Sequence, residues 1–168
     1  MKKIICISGK DETWKDTVAD ILREELRGEG QRVLIARLAD PLRHICRDWF
    51  KWDDKKGPAG LLQCIGTDLV RAQNPDFWVD FTAGLIAAIR DRWDYVIIPD
   101  CRFKNELDLE RYGFTPLHLR ADGPRERQAE TELDSVEPDE RLANHTLCDE
   151  LFDEVRAFAK TLLAGEGT

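Results

Sequence analysis

Four groups of side chains in this chain have the types and spacing for phosphate chemistry. The first is Gly9-Lys10 followed by Lys15-Asp16-Thr17. A glycine, five residues, a lysine and then a hydroxyl follow the layout of a phosphate-binding loop. In such a loop backbone N–H groups and a helix N-terminus surround a phosphate, and the lysine neutralises it. Against the pattern G-x-x-x-x-G-K-[ST], the second glycine is Trp14, Asp16 follows the lysine, and the hydroxyl moves to Thr17. Read alone, a plain strand–turn–helix with an exposed lysine fits equally well. The second group is Asp100 and Arg102. A carboxylate at a strand end can hold Mg²⁺ or its waters, or cap a helix. The planar guanidinium of Arg102 suits a phosphate, or an ion pair with Glu106 or Asp108. Arg43 and Arg71 form the third group, able to reach the same place or to remain solvated on helices. Arg120, Arg125 and Arg127 form the fourth. They border or lie in a polar stretch, residues 121–140, which reads as a mobile lid bringing positive charge over a transferring phosphoryl group.

The elements that must position these groups are legible from apolar periodicity. Ile4-Ile5-Cys6-Ile7 reads as a buried strand, and Val18, Ile21, Leu22 and Leu26 make one face of a helix. Gly28-Glu29-Gly30 stops that helix, and residues 32–38 read as a second strand. Asp40-Pro41 starts a helix with a stripe of Leu42, Ile45, Cys46, Trp49 and Phe50. A further helix spans about residues 59–72, with Leu61, Leu62, Ile65 and Leu69 on its face. Asn74-Pro75-Asp76 leads into another, whose core face is expected to be Trp78, Phe81, Leu85 and Ile89. Residues 94–99 are a buried strand, 103–112 a short helix, and 114–119 a strand. A short extended piece at 145–147 precedes a last helix with Leu151, Phe152, Val155, Phe158, Ala159 and Leu162 inward.

Alternating strands and helices predict an α/β fold of three layers: a mainly parallel five-stranded sheet with helices on both faces and residues 3–8 in its central strand. Ligands of such sheets bind at the carboxyl ends of the strands, so Ser8-Gly9, Ala39-Asp40, Asp100–Arg102 and Arg120 should gather on one edge. The 168 residues fit one domain, 1–168. Composition is that of a globular protein, 42% hydrophobic and 35% charged, with no apolar run of membrane-spanning length. The N-terminus lacks the pattern of a signal peptide. A formal charge of -8 argues against a general binder of nucleic acid polymers, while a local arginine cluster can still hold a small anion. Five scattered cysteines without a C-x-x-C pair point to reduced thiols and a cytoplasmic setting.

Several segments recur together in one order: Ser8-Gly9-Lys10 with Lys15-Asp16-Thr17-Val18-Ala19-Asp20; Ala39-Asp40-Pro41-Leu42-Arg43; Gln63, Gly66-Thr67, Arg71, Asp76 and Trp78; Pro99-Asp100-x-Arg102-Phe103-x-Asn105-Glu106; Glu132-x-Asp134; and Asn144. That order resembles the deoxynucleoside monophosphate kinases of phages and prophages, a branch of the P-loop nucleotide kinases, over nearly the whole chain. The resemblance implies transfer of the γ-phosphoryl of ATP, with Mg²⁺, to a deoxynucleoside monophosphate. It implies catalytic roles for Lys15, Asp16, Asp100 and Arg102, with Asp16 and Asp100 on the metal side. ATP would be held by Gly9, Lys10, Lys15, Asp16 and Thr17, and by Arg125, Arg127 and Asn144. The acceptor would be held by Asp40, Arg43, Gly66, Thr67, Arg71, Trp78, Arg102, Glu106 and Glu132. The partner would be a small nucleotide, with no membrane; a homodimer is left open.

The chain departs from that family in the cradle itself, where Asp11-Glu12-Thr13-Trp14 replaces small or basic residues. One carboxylate ~5–6 Å from a phosphate charge costs roughly 3 kcal/mol at an effective dielectric of ~20. Three readings therefore stand side by side: an active nucleotide kinase, a non-catalytic nucleotide-binding relative, and a small-molecule kinase like the animal phosphomevalonate kinases, which share the Ser-Gly-Lys…Lys-Asp style of loop.

Overall fold

A computed structural model describes residues 1, 3–9, 14–52, 60–121, 132–142 and 149–165. Its centre is strand β1, Lys3–Ser8, every residue of which after Lys3 is buried. Successive side chains of a strand point to opposite faces, and β1 uses both. Ile5 and Ile7 pack with Val18, Leu22 and Leu26 of α1, Lys15–Gly28, and with Val155 and Phe158 of α5, Asp149–Ala164. Ile4 and Cys6 face the other way, toward Val79, Ala83 and Ile86 of α4, Phe77–Ala88. A strand apolar on both faces is what a parallel sheet between two helical layers requires.

The sheet order is β2-β3-β1-β4-β5, with β2 at Val33–Ile35, β3 at Tyr95–Ile98, β4 at Pro116–Ala121 and β5 at Glu140–Leu142. All four pairings are parallel, and Ile4 stands opposite both Val96 and Pro116. Five strands, parallel pairing and a central β1 agree with the expectation from sequence. Two further α-helices among the described residues are α2, Asp40–Phe50, and α3, Leu61–Gln63, which runs on as a π-helix over Cys64–Arg71.

Four expectations change. The stretch 103–112 is two short 3₁₀ turns, Lys104–Glu106 and Glu110–Tyr112. Much of the expected lid belongs to the fold: Leu133 is buried in the core and residues 140–142 form β5. The rest of the lid, and the extended piece at 145–147, lie outside the described residues. The face of α4 is turned. Trp78, Val79, Thr82, Ala83 and Ile86 are inward, while Phe81, Leu85 and Ile89 are exposed. This helix has a single charged residue, Asp80, so its apolar pattern carries no directional signal. In α2 and the π-helix, Leu42, Cys46 and Gly66 are inward, and Trp49, Phe50 and Leu69 are exposed. A π-helix closes its hydrogen bonds from i to i+5, which rotates its faces relative to an α-helix of the same sequence.

Candidate active site

Strand ends β1, β2, β3 and β4 deliver their following residues to one edge of the sheet. The turn after β1 begins at Gly9, whose φ of 146° lies where a side chain would be strained. It ends at Trp14, the N-cap of α1, in the left-handed conformation (φ 60°, ψ 22°) and 41% exposed. That conformation costs a residue with a Cβ about 1–2 kcal/mol, and a bulky residue there is uncommon. The glycine that Trp14 replaces would adopt it freely. Lys15 folds back so that its Nζ donates to the Gly9 carbonyl at 2.9 Å. Beside it, Asp16 Oδ1 accepts from Nε and a terminal nitrogen of Arg37, at 3.1 and 2.7 Å. Arg37 follows β2 and was not singled out from the sequence. Burial works against its charge, but the hydrogen bond and charge of Asp16, with the charges of Asp40 and Asp100, outweigh it and raise its pKa.

Below the loop, the Oγ of Ser8 lies 2.6 Å from Nε2 of His118 on β4, and burial holds that imidazole below its ordinary pKa. Its Nδ1 has no protein partner among the described residues.

A cleft of about 470 Å³ opens where Leu38 and Ala39, after β2, meet Asp100 and Arg102, after β3. Leu42, Leu62, Trp78 and Phe103 give it apolar walls, and Arg43, Arg71 and Arg102 give it positive charge. Two carboxylates shape it. Asp100 accepts the backbone N–H of Leu38 at Oδ1 (3.0 Å) and of Ala39 at Oδ2 (2.9 Å), so it clasps the turn into α2 to the end of β3. Burial raises its pKa against these two bonds. Glu106 is 2% exposed. Its Oε2 accepts the backbone N–H groups of Arg102 and Phe103, and its Oε1 pairs with the Arg71 guanidinium. Burial pushes Glu106 upward too, opposed by those N–H groups and by Arg71. The Arg71 guanidinium also lies 4.1 Å above the Phe103 ring, which completes a rigid corner.

The opposite wall is set by Trp78, whose Nε1 donates to the Gly66 carbonyl at 3.1 Å. A Cβ on Gly66 would come within 2.5 Å of Leu42 Cδ2, so any side chain here would require Leu42 to turn away. Thr67 lines the same wall, and Arg43 pairs with Asp40 at 3.5 Å on the first turn of α2. A second hollow adjoins the cleft through Thr67, Arg71 and Phe103 and includes Glu132, which accepts the Lys104 N–H at 3.4 Å. Arg120, expected to cover the phosphates, lies at the end of β4 and pairs with Asp134 at 3.1 Å. Lys10, Arg125, Arg127 and Asn144 lie outside the described residues. Of the residues singled out from the sequence, Arg43, Gly66, Thr67, Arg71, Trp78, Asp100, Arg102 and Glu106 line this one cleft, while the bonds that make Asp100 and Glu106 clasps carry no signal in the sequence. Both clasps link segments whose pairing no local pattern announces.

The whole backbone can be set against solved structures. The APS kinase CysC of Mycobacterium tuberculosis, in complex with AMPPNP and APS, superposes with a TM-score of 0.58 over 97% of this chain and 98% of that one, at 16% identity. A sugar kinase from Janibacter superposes at 0.53, over 98% and 95%, at 18% identity. The fold is that of these kinases. In sequence, the chain is similar to the deoxynucleotide monophosphate kinase of Enterobacteria phage T4, with 29% identity over 117 residues. That match takes in 66% of this chain and 48% of the phage protein, so the chain spans about half the length of that curated relative. No protein-family model matches. Among the described residues, no helix is long and apolar enough to cross a membrane.

Proposed function

We propose that this P-loop kinase-like protein is a phosphotransferase that moves the γ-phosphoryl of ATP to a nucleoside monophosphate, with a deoxynucleoside monophosphate as the preferred acceptor. The observation that carries the reading is the cleft lined by residues that follow β2 and β3, with apolar walls at Leu42, Trp78 and Phe103 and three arginines, Arg43, Arg71 and Arg102, in its lining. Flat apolar walls suit a base and sugar, and guanidinium groups suit the phosphate that must be both bound and aimed. The phage relative's name points to the same acceptor class.

In this reading Arg43 and Arg102 take the acceptor phosphate, while Arg71 stays locked by Glu106 and Phe103 as a wall. Gly66, Thr67 and Trp78 hold the nucleoside, and Glu132 borders the adjoining hollow. Lys15 leaves the Gly9 carbonyl for the donor phosphates, with the N–H groups at the start of α1 and Thr17 close by. Gly9 and Lys10 begin that cradle, and Arg125, Arg127 and Asn144 are assigned to the donor side by resemblance. Mg²⁺ would neutralise charge on the donor phosphates. The donor set fits it modestly: both Arg37 bonds go to Oδ1 of Asp16, and Mg²⁺ commonly keeps several waters and one or two carboxylates. Asp100 has both oxygens in backbone bonds, so we assign it to holding the Asp40 turn in place, where Asp40 in turn orients Arg43.

A second reading, a nucleotide-binding relative without transfer, is favoured by Trp14 at a left-handed position and by Lys15 bonded to its own loop. Release of ADP from ATP and Mg²⁺ across a panel of deoxy- and ribonucleoside monophosphates separates the two. Acceptor-dependent release that Lys15→Ala lowers by orders of magnitude, at unchanged melting temperature, supports transfer. Acceptor binding without release supports the second reading.

A further inference from the structure

We propose that the outward face of α4 is the two-fold interface of a homodimer. A helix apolar all round is normally buried all round. Between Phe77 and Ala88 the only charged residue is Asp80, yet only one side of α4 packs on the sheet. On the other side Phe77, Phe81, Leu85 and Ile89 are 40%, 46%, 56% and 42% exposed. They recur every four residues along about 18 Å of helix. Gly84 lies on the same side, and a Cβ there meets nothing within 4 Å. Toward α2 the stripe continues into a groove walled by Pro41 and Ile45.

The charges at the two ends of the stripe select a second copy running antiparallel. At the N-terminal end Asp76 and Asp80 face Arg111, leaving one net negative charge. At the C-terminal end Arg90 and Arg92 outnumber Asp91, leaving one net positive charge. A two-fold axis near Gly84 sets each negative end against the partner's positive end, and it opposes the two helix dipoles. Phe81 then covers the partner's Leu85, and Phe77 the partner's Ile89. Gly84 lets the helices approach closely at the axis. A stable interface buries about 800 Å² per partner. One helix stripe falls short of that, and the groove toward α2 widens the apolar surface that a second copy would cover.

Sedimentation equilibrium on the full chain tests this. The wild type should weigh about twice the 19.3 kDa of one chain. Gly84→Trp should give the single-chain mass while still melting cooperatively, because the new side chain has room in the monomer and collides only across the axis. Leu85→Glu should do the same, and adding Arg92→Glu should not restore the dimer. A wild type that stays monomeric at its highest soluble concentration would overturn the proposal. So would a Gly84→Trp variant that dimerises like the wild type, since another face would then be responsible.

Discussion

Replacing Glu106 by Gln keeps the shape of the side chain and removes one charge, and its consequences can be worked through atom by atom. The amide oxygen can still accept the Arg102 and Phe103 N–H groups that Oε2 now accepts. The amide nitrogen must then face the Arg71 guanidinium, donor against donor. Arg71 is 13% exposed and Glu106 2%, so water can replace little of what is lost. Breaking one side of a buried pair costs roughly 3–5 kcal/mol. For a chain of this size each kcal/mol lowers the melting temperature by about 2–4 °C. The lower bound of ~3 kcal/mol therefore gives a fall of roughly 6–12 °C at neutral pH, measurable by differential scanning calorimetry. The pH dependence has a definite sign. The folded pKa of Glu106 is raised, so its ionised form is the unfavourable one in the fold. As pH falls through that raised value the folded wild type takes up a proton before the unfolded chain does and gains stability that Gln cannot gain, so the gap between the two proteins should widen. Acceptor affinity should fall about tenfold or more, because a freed Arg71 no longer braces Phe103 and the start of the Arg102 turn. A double-mutant cycle with Arg71→Leu should return a coupling energy of about 2 kcal/mol or more. Equal melting temperatures for wild type and Glu106→Gln at pH 7 would refute the clasp.

Other perturbations follow from the same geometry. Trp14→Gly relieves a left-handed residue by ~1 kcal/mol and opens the cradle, so ATP should bind more tightly in a calorimetric titration; unchanged ATP affinity with weaker acceptor binding would make Trp14 a working part of the site. His118 has a depressed folded pKa, so the stability it confers is present above about 6.5 and lost as pH falls below it. The melting temperature of His118→Gln should therefore fall less than that of the wild type between pH 7 and 5, and parallel curves would contradict this. Asp76 is held down at about 2 by hydrogen bonds from Arg111 and Asn105. Its stabilisation is present above ~4 and lost as pH drops toward 2, so Asp76→Asn should flatten the acid limb of the stability curve.

The parallel pairing and the central place of β1 could be read from the sequence because β1, β2 and β3 are short apolar runs and the segments joining them carry a helical period, whereas β5, Glu-Arg-Leu, has no apolar run to announce it. Ser8-Gly9, Asp100 and Arg102 could be placed on one edge because strand ends of a parallel sheet converge there. The orientation of α4 could not be read, since residues apolar on every side leave the inward face to tertiary packing. The pairings of Asp100 with Leu38 and Ala39, and of Glu106 with Arg71, could not be read either. They join residues 62, 61 and 35 apart, and each partner taken alone looks like a ligand contact. Arg37 escaped because the carboxylates that draw it inward belong to three different segments.

The cleft is most directly tested by titrating a panel of deoxynucleoside monophosphates into the protein in a calorimeter, with ATP as the comparison. Saturable binding at one site per chain, tighter than that of ATP and weakened at least tenfold by Arg102→Ala, is expected from three arginines lining one cleft, against a donor loop that ends in Trp14 at a left-handed position. Tight ATP binding with no heat from any monophosphate would contradict the assignment of this cleft.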